Sequence, residues 1–484
     1  MWWQTAIPQA NLLVPGRTEG HRCSVVRYGI LAIAAALNVA AVTTASGAET
    51  LLRDALPSAP TRFTNDGAVF GPTRVHQIEV TISPSEWEVL QRETYVNRGG
   101  VPLATEDDIK RPDGRIVHIG GGFGGTFPWV HGDVRVNGAL IRDAGIRYKG
   151  NGSYNAAAGL HRNLKIKTDF FGGTDDWASL ETLNFNSGGR DASRMRETLT
   201  FAIFRAAGVP VSRTAYVEIR FTVPGIHDKA YGGLFTVIEN VNKKFLKHAL
   251  PPGTGLLMKP ERMQQGGVGY YGETWADYVP SYRPQRDATP EEARRVIDFA
   301  RLVNNGGVEE FRARIDSFLD VDEFLRFIAV NAIVMSRDSY LSGRHNYFIY
   351  LDPKDNRFRF IPWDEDGALA GGNGGTANTD LLRPYSTDNP LIYWLLDDPS
   401  VAARYKKIVK EIMTTVLARP DFQKLIGSLE SLVAEPIAKE VNAMSSRGER
   451  NNYGSGNPPR FFFQSRTVSV EQQMGLWFQS TDSP

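Results

Sequence analysis

Cysteine is nearly missing from this chain: Cys23 stands alone among 484 residues, so no pair exists to form a disulfide. An excess of charge is missing too. With 55 Lys and Arg against 54 Asp and Glu, the net charge is +1, which gives no electrostatic case for a nucleic-acid partner. Long apolar runs are absent. Tyr28–Val42 is fifteen residues broken by Asn38, short of the roughly 20 that span a bilayer, and no stable membrane span is expected. Internal repeats and heptads are not found, and no HExxH pattern marks a zinc hydrolase.

What is present is enough apolar side chain, 42% of the total, to bury a large core, and the length suits two or three domains or one elaborate one. The short apolar run reads as an export signal. Arg22 and Arg27 flank it, Ser46-Gly47-Ala48 offers small residues for cleavage, and the run favours a cleaved signal over an anchor. The 21 residues before it are long for such a leader, which a translation start downstream of Met1 would explain. Cys23 precedes the run, so it is not placed to carry lipid and would be lost on processing. Secretion without disulfides suits a periplasmic or other bacterial envelope protein. Residues 1–48 are therefore expected to be a signal region and 49–74 a linker.

The densest chemistry lies in Arg337–Leu369. Tyr347–Leu351 and Arg357–Pro362 are rich in aromatic and β-branched residues, and Asp352-Pro353-Lys354-Asp355-Asn356 between them is turn chemistry, so the stretch predicts a β-hairpin. Polar groups crowd both its ends. Asp338, His345 and Asn346 precede the first strand, Asp364 and Asp366 follow the second, and an antiparallel hairpin brings them together. Such oxygens suit Mg²⁺ or a similar hard cation, with phosphate and water completing the shell, and Asp338 is then free to act as a base. The order Asp338, Asn346, Asp364 is that of base, metal-binding amide and metal-binding acid in protein kinases, where the first interval is five residues rather than the eight found here. The alternative is that these acids cap turns and pair with Arg337, Arg344, Arg357 and Arg359.

Along the rest of the chain, Val75–Ile82 reads as a strand, and Ser83 with Glu86 as a capping box opening a short helix. Gly99–Gly125 is expected to be a surface excursion. Trp129–Val136, the turn Asn137-Gly138 and Ala139–Tyr148 form strand, turn and strand. The turn Lys149-Gly150-Asn151-Gly152-Ser153 either merely reverses the chain or offers an anion-binding nest. Lys165 and Lys167 share one face of the strand Asn163–Thr168, as phosphate ligands or as solvated lysines. Ser193–Ala207 is helical by pattern; Glu197, or Glu181, could pair with a phosphate lysine, although a solvated first-turn glutamate is the default. Tyr216–Thr222 and Gly233–Glu239 read as strands, with Glu239 near a nucleotide's adenine edge. Asn240–Leu250 is helical and Gly255–Pro260 a strand. Gly266–Pro290 is a polar, aromatic loop, and three helices follow to Ser336. Gly371–Asn378 is a flexible loop, Pro390–Met444 is helical, Arg447–Pro459 mobile, and Phe461–Met474 a last helix.

Six segments, RYKGNGSY at Arg147–Tyr154, LKIK at Leu164–Lys167, RETLTFAIFRAAGVP at Arg196–Pro210, GGLFTVIENVNKKFL at Gly232–Leu246, HNYFIYLD at His345–Asp352 and FIPWDEDGA at Phe360–Ala368, resemble the CotH kinase family of secreted or spore-coat atypical protein kinases. The resemblance runs from about Val75 to Met474. It implies an α+β, atypical protein-kinase-like bilobal fold over 75–476, with a reduced N-lobe at about 75–260, a mainly helical C-lobe at about 261–476 and a tail at 477–484. It implies ATP, Mg²⁺ or Mn²⁺, and transfer of the γ-phosphate to protein Ser/Thr hydroxyls. Asp338 would be the catalytic base, Asp364 the metal ligand assisted by Asn346 and Asp366, and Lys149, Gly150, Lys165, Lys167 and Glu239 would face the nucleotide. A kinase-fold binding protein without catalysis, and a metal-dependent hydrolase, are the competing readings.

Overall fold

Strand pairing organises the first half of the computed structural model, which describes residues 69–92, 108–119, 126–150, 153–173, 181–260, 267–336, 338–342, 345–369, 380–385, 389–450 and 458–479. All of these belong to one compact unit, Ala45–Pro484. The signal region, Cys23, most of the linker, Asn151-Gly152, Arg337, Gly343-Arg344 and the Gly371–Asn378 loop lie outside the described residues.

Seven strands close into a barrel: β1 (Val75–Thr81), β5 (Val130–Val136), β6 (Ala139–Tyr148), β7 (Leu164–Lys167), β8 (Thr182–Asn186), β10 (His227–Glu239) and β9 (Thr214–Val223), in that order around the wall. Closure removes the exposed edges that an open sheet would present. Alternation does the sorting: on β7, Leu164 and Ile166 are buried while Lys165 and Lys167 stay partly exposed, so the apolar half-residues fill the interior with Val80, Ile146, Phe185 and Val217. Only one pairing, β1 with β9, is parallel. At the β5–β6 turn, Asn137 and Gly138 both have positive φ, 44° and 95°, as a two-residue hairpin requires.

The Gly-rich segment expected to be a plain excursion holds two strands, β2 (Asp108–Lys110) and β3 (Ile116–Ile119), which pair with β4 (Thr126–Pro128) in a separate sheet. The capping box at α1 (Pro84–Arg92) is half formed. Ser83 Oγ accepts from Glu86 N–H at 3.2 Å, but the Glu86 carboxylate goes to His131 N–H at 3.0 Å and to Arg115 at 3.3 Å.

The second half is helical around one three-stranded sheet. After α2 (Arg196–Ala206) and α3 (Lys243–Ala249) come β11 (Leu256–Met258), the single turn α4 (Val279–Tyr282), and α5 (Pro290–Asn305), α6 (Gly307–Phe318) and α7 (Val321–Ile333). β12 (Tyr347–Asp352) and β13 (Arg357–Pro362) form the expected hairpin, and β11 adds to its β12 edge. Beyond lie α8 (Pro390–Leu396), α9 (Pro399–Ile412), α10 (Pro420–Ser446) and α11 (Pro459–Gln479), whose last turn replaces the start of the expected tail. One continuous apolar core joins α2, α5, α7, α9 and the hairpin through Phe204, Phe299, Phe327, Phe360 and Val409. Arg447–Arg450, expected to be mobile, is anchored: Arg450 N–H donates to Ala157 O at 2.7 Å and Glu449 Oε1 accepts from Leu160 N–H at 3.2 Å. Among the described residues no helix is long and apolar enough to cross a membrane.

Candidate active site

The hairpin does what its sequence predicts. Tyr347 lies opposite Pro362, so Asn346 meets Trp363, whose N–H donates to Asn346 O at 3.1 Å. Asn346 Nδ2 then donates to Asp338 O at 2.6 Å, and His345 Nε2 stands 3.1 Å from Asp338 Oδ1. A third contact comes from far away in sequence: Arg190, in the turn before α2, places Nη1 3.5 Å from Asp338 Oδ2. His345 and Arg190 hold the Asp338 carboxyl below the usual carboxylate range, and Asp338 in turn raises His345. About half of the Asp338 side chain remains exposed, as an acceptor for an incoming group must be.

Backbone strain gathers around these groups. Met335, Asn346, Asp364 and Leu369 all have left-handed φ, between 55° and 62°. Asn and Asp tolerate that region, whereas Met and Leu enter it at a cost, and such strain concentrates at functional sites. Leu369 N–H is tied to Val334 O at 2.9 Å, which locks the turn after the hairpin onto the end of α7.

Behind the exposed base lies a buried layer of acids. Glu365 is 1% exposed; Ser336 Oγ donates to its Oε2, while its Oε1 has no hydrogen-bond partner. Burial first, then the charges of Asp364, Asp366 and Asp338, push Glu365 up to about 8. Asp366 is also pushed up to about 8, by burial and then Asp364. Glu197, expected as a solvated residue, is 4% exposed. It accepts from Asn186 Nδ2 at 2.9 Å and from Glu365 N–H at 3.3 Å, and burial with the charges of Asp364 and Asp366 raises it well above the usual range.

From the barrel side, Lys149 faces this layer. Burial lowers its ammonium, and Asp364 and Glu197 oppose that shift; its Nζ is 6.0 Å from the centre of the Trp363 ring. Gly150 has φ 107°, and a Cβ there would fall 2.6 Å from Ser153 Oγ, so the turn needs glycine. The other nucleotide candidates are dispersed. Lys165 lies across from Arg147 and Asn184 on the outward face of the barrel. Lys167 is 4.0 Å from Asp169. Glu239 is already engaged by Arg213 at 2.6 Å and His248 at 2.8 Å; burial opposes its ionisation, yet these two partners hold it below the usual range. Glu181 pairs with Lys244 at 2.7 Å.

Of the arginines offered as alternative partners, Arg337 and Arg344 lie outside the described residues, and Arg359 is engaged elsewhere. Arg359 binds Asp355 at 2.5 Å, Glu323 at 3.3 Å and Asp352 at 3.5 Å at the opposite end of the hairpin. Sequence reasoning missed Arg190, Ser336 and Glu365. Arg190-Asp191 in a Gly-Gly turn, and Glu365 between two aspartates, were the available signals.

A hard divalent cation fits the donor chemistry here. Burial and mutual crowding raise the carboxylates, Glu365 and Asp366 up to about 8 and Glu197 in the same direction, and one buried carboxylate oxygen, Glu365 Oε1, is unpartnered. Among the described residues no group of three or more His, Cys, Asp or Glu is arranged to hold a metal unaided. Water and phosphate oxygens would complete the shell.

The family model described as CotH kinase protein matches residues 146–468. The inner spore coat protein H of Bacillus subtilis is 22% identical over 249 residues, which is 48% of this chain and 62% of that protein. The invasin CotH2 of Rhizopus delemar is 22% identical over 250 residues, 49% of this chain and 41% of its own length. The match thus spans less than two thirds of either relative.

Proposed function

The chain belongs to the CotH family, and on that premise we propose that it transfers the γ-phosphate of ATP to protein hydroxyls at the Asp338–Asp364 cluster. The observation that carries the reading is convergence: Asp338, Asn346, Asp364 and Asp366 meet at the open end of one hairpin, and Lys149 on the barrel feels the charges of Asp364 and Glu197. In this reading the barrel and its glycine turn would take the place of a nucleotide lobe and residues from about 261 that of a helical lobe, as in a kinase. Asp364 and Asp366, with Asn346, would hold Mg²⁺ or Mn²⁺, which when bound supplies charge compensation for the phosphates. Lys149 would add a cation on the same side, its charged form favoured, against burial, by Asp364 and Glu197. Asp338, kept ionised by His345 and Arg190, orients the acceptor hydroxyl and takes its proton as oxygen bonds to phosphorus and ADP leaves. Lys165 and Lys167 contribute to the field along the barrel face. The names of the relatives, a spore coat protein and an invasin, support a place in the cell envelope or at the surface.

The test separates the two aspartates. Asp338→Asn should retain ATP–Mn²⁺ binding and lose transfer by about 10²–10⁴, whereas Asp364→Asn should weaken binding and transfer together. Calorimetric binding and γ-phosphate labelling of an acceptor protein, or of the chain itself, measure both. Binding without any labelling would favour the binding-protein reading, and no ATP binding would end the kinase assignment.

A further inference from the structure

The motif Gly232-Gly233-Leu234 and helix α10 have no part in the chemistry just described, yet they meet at a fully buried carboxylate, Glu440. β10 bulges between Tyr231 and Gly233, and Leu234 N–H donates to Glu440 Oε2 at 2.9 Å. His161 Nε2 lies 3.0 Å from the same oxygen and 3.0 Å from Leu234 O. Arg194 Nη2 donates to Glu440 Oε1. All three side chains are at most 1% exposed. Gly233, at φ 117°, makes the approach possible, because a Cβ there would fall 2.5 Å from His161 and 2.9 Å from Glu440 Oε2.

The far side of Arg194 leads to the site. Its guanidinium also donates to Gly188 O at 3.3 Å and to Asp191 O, so residues 188–194 wrap around it, and Arg194 itself sits at φ 60°. Asp191 Oδ2 accepts from Arg196 N–H at 2.8 Å and starts α2. From this one turn Arg190 reaches Asp338, and two residues into α2 Glu197 reaches the buried acid layer. A buried ion pair is a poor device for stability, since apolar residues of equal volume often serve as well or better, but it fixes one arrangement.

We infer that Glu440 is a positioning residue for phosphotransfer: through Arg194 it sets the 188–197 turn, and thereby the Arg190 contact on Asp338 and the depth of Glu197. The inference rests on the phosphotransfer reading. In the full chain, Glu440→Gln should lower kcat by about tenfold to a hundredfold while KM for ATP stays within about threefold, a split that loss of folded protein alone does not give. Arg190→Ala should lower kcat too, and the double variant should be no worse than the poorer single, because both act through one contact. Glu440→Asp should recover part of the rate. If Glu440→Gln does not fold, Arg194→Lys, which keeps the charge and loses the fork, takes its place. An unchanged kcat, or fully multiplicative effects, overturns the inference. Hydrogen exchange provides an arm independent of activity: Glu440→Gln should raise exchange at 186–200 and 338–342 while β1 and β5 exchange as in wild type. If the wild type transfers no phosphate the phosphotransfer reading fails on its own, and this arm alone decides the coupling, a uniform or absent change refuting it.

Discussion

His76 shows how much a single buried ring decides. It is 3% exposed; its Nε2–H donates to Val69 O at 3.1 Å and its Nδ1 accepts from Asn137 Nδ2 at 3.1 Å, so the neutral ring is the one that fits. Burial, then Arg74, lowers it from 6.5 to about 4. Between those values the unfolded chain binds a proton that the folded chain refuses. Stability is therefore full above pH 6.5 and is lost as pH falls toward 4, by about 3 kcal/mol at roughly 1.4 kcal/mol per unit. Urea unfolding of wild type at pH 7 and pH 4.5 should show that loss, and His76→Gln, whose amide can serve both partners, should flatten it; equal slopes in both proteins would exclude His76 as the source. Nothing in the sequence around His76 signals this, because its partners come from residues 69 and 137. Asp338, Asn346, Asp364 and Asp366 were legible for the opposite reason: a local hairpin brings them together. Glu197 was misjudged as solvated because helical position alone does not reveal that a turn 168 residues later covers it.

At the scale of elements, α7 was readable from its apolar pattern, but what holds its end was not. Arg466 on α11 is 1% exposed and donates from Nε to Ile333 O at 3.1 Å and from Nη2 to Ala332 O at 2.9 Å. It caps the helix that delivers the chain to Asp338, with a cation at the negative end of the helix dipole. Burial lowers its guanidinium to about 10, which leaves it charged at neutral pH. Arg466→Met should cost about 2–3 kcal/mol, since two buried carbonyls lose a charged donor, with Arg466→Lys intermediate. Denaturant midpoints measure this, and a Met variant as stable as wild type would show that α11 merely covers the core. Hydrophobic periodicity reports which face of a helix is buried and is silent on partners. The same limit hid the barrel: β1 finds β9 in parallel register far along the chain, and no local pattern encodes that closure.

For the whole molecule, the balance between stability and chemistry is concentrated at one place. Overall charge is nearly nil, +1, yet carboxylates crowd locally at the site: Glu197, Glu365 and Asp366 are each raised in part by the charge of Asp364. Lys149 and His345 gain from that charge. Asp364 also sits at φ 57° and ψ 57°, a conformation that Asn adopts as readily as Asp. Asp364→Asn therefore removes repulsion without adding backbone strain, and in metal-free solution it should raise the unfolding free energy by about 1 kcal/mol, the size of gain seen when a functional compromise is relaxed. Addition of ATP with Mn²⁺ should invert the order, because a ligand that binds the native state stabilises it according to its affinity, and the wild type would bind far more tightly. Mn²⁺ alone should do little, given the lack of a self-sufficient ligand set among the described residues. Scanning calorimetry of both proteins in chelator, in Mn²⁺ and in ATP with Mn²⁺ tests all three statements. If Asp364→Asn is instead the less stable protein in chelator, the acids are satisfied by one another and by Lys149 as they stand, and the cluster is part of the scaffold rather than a site held ready for a cation.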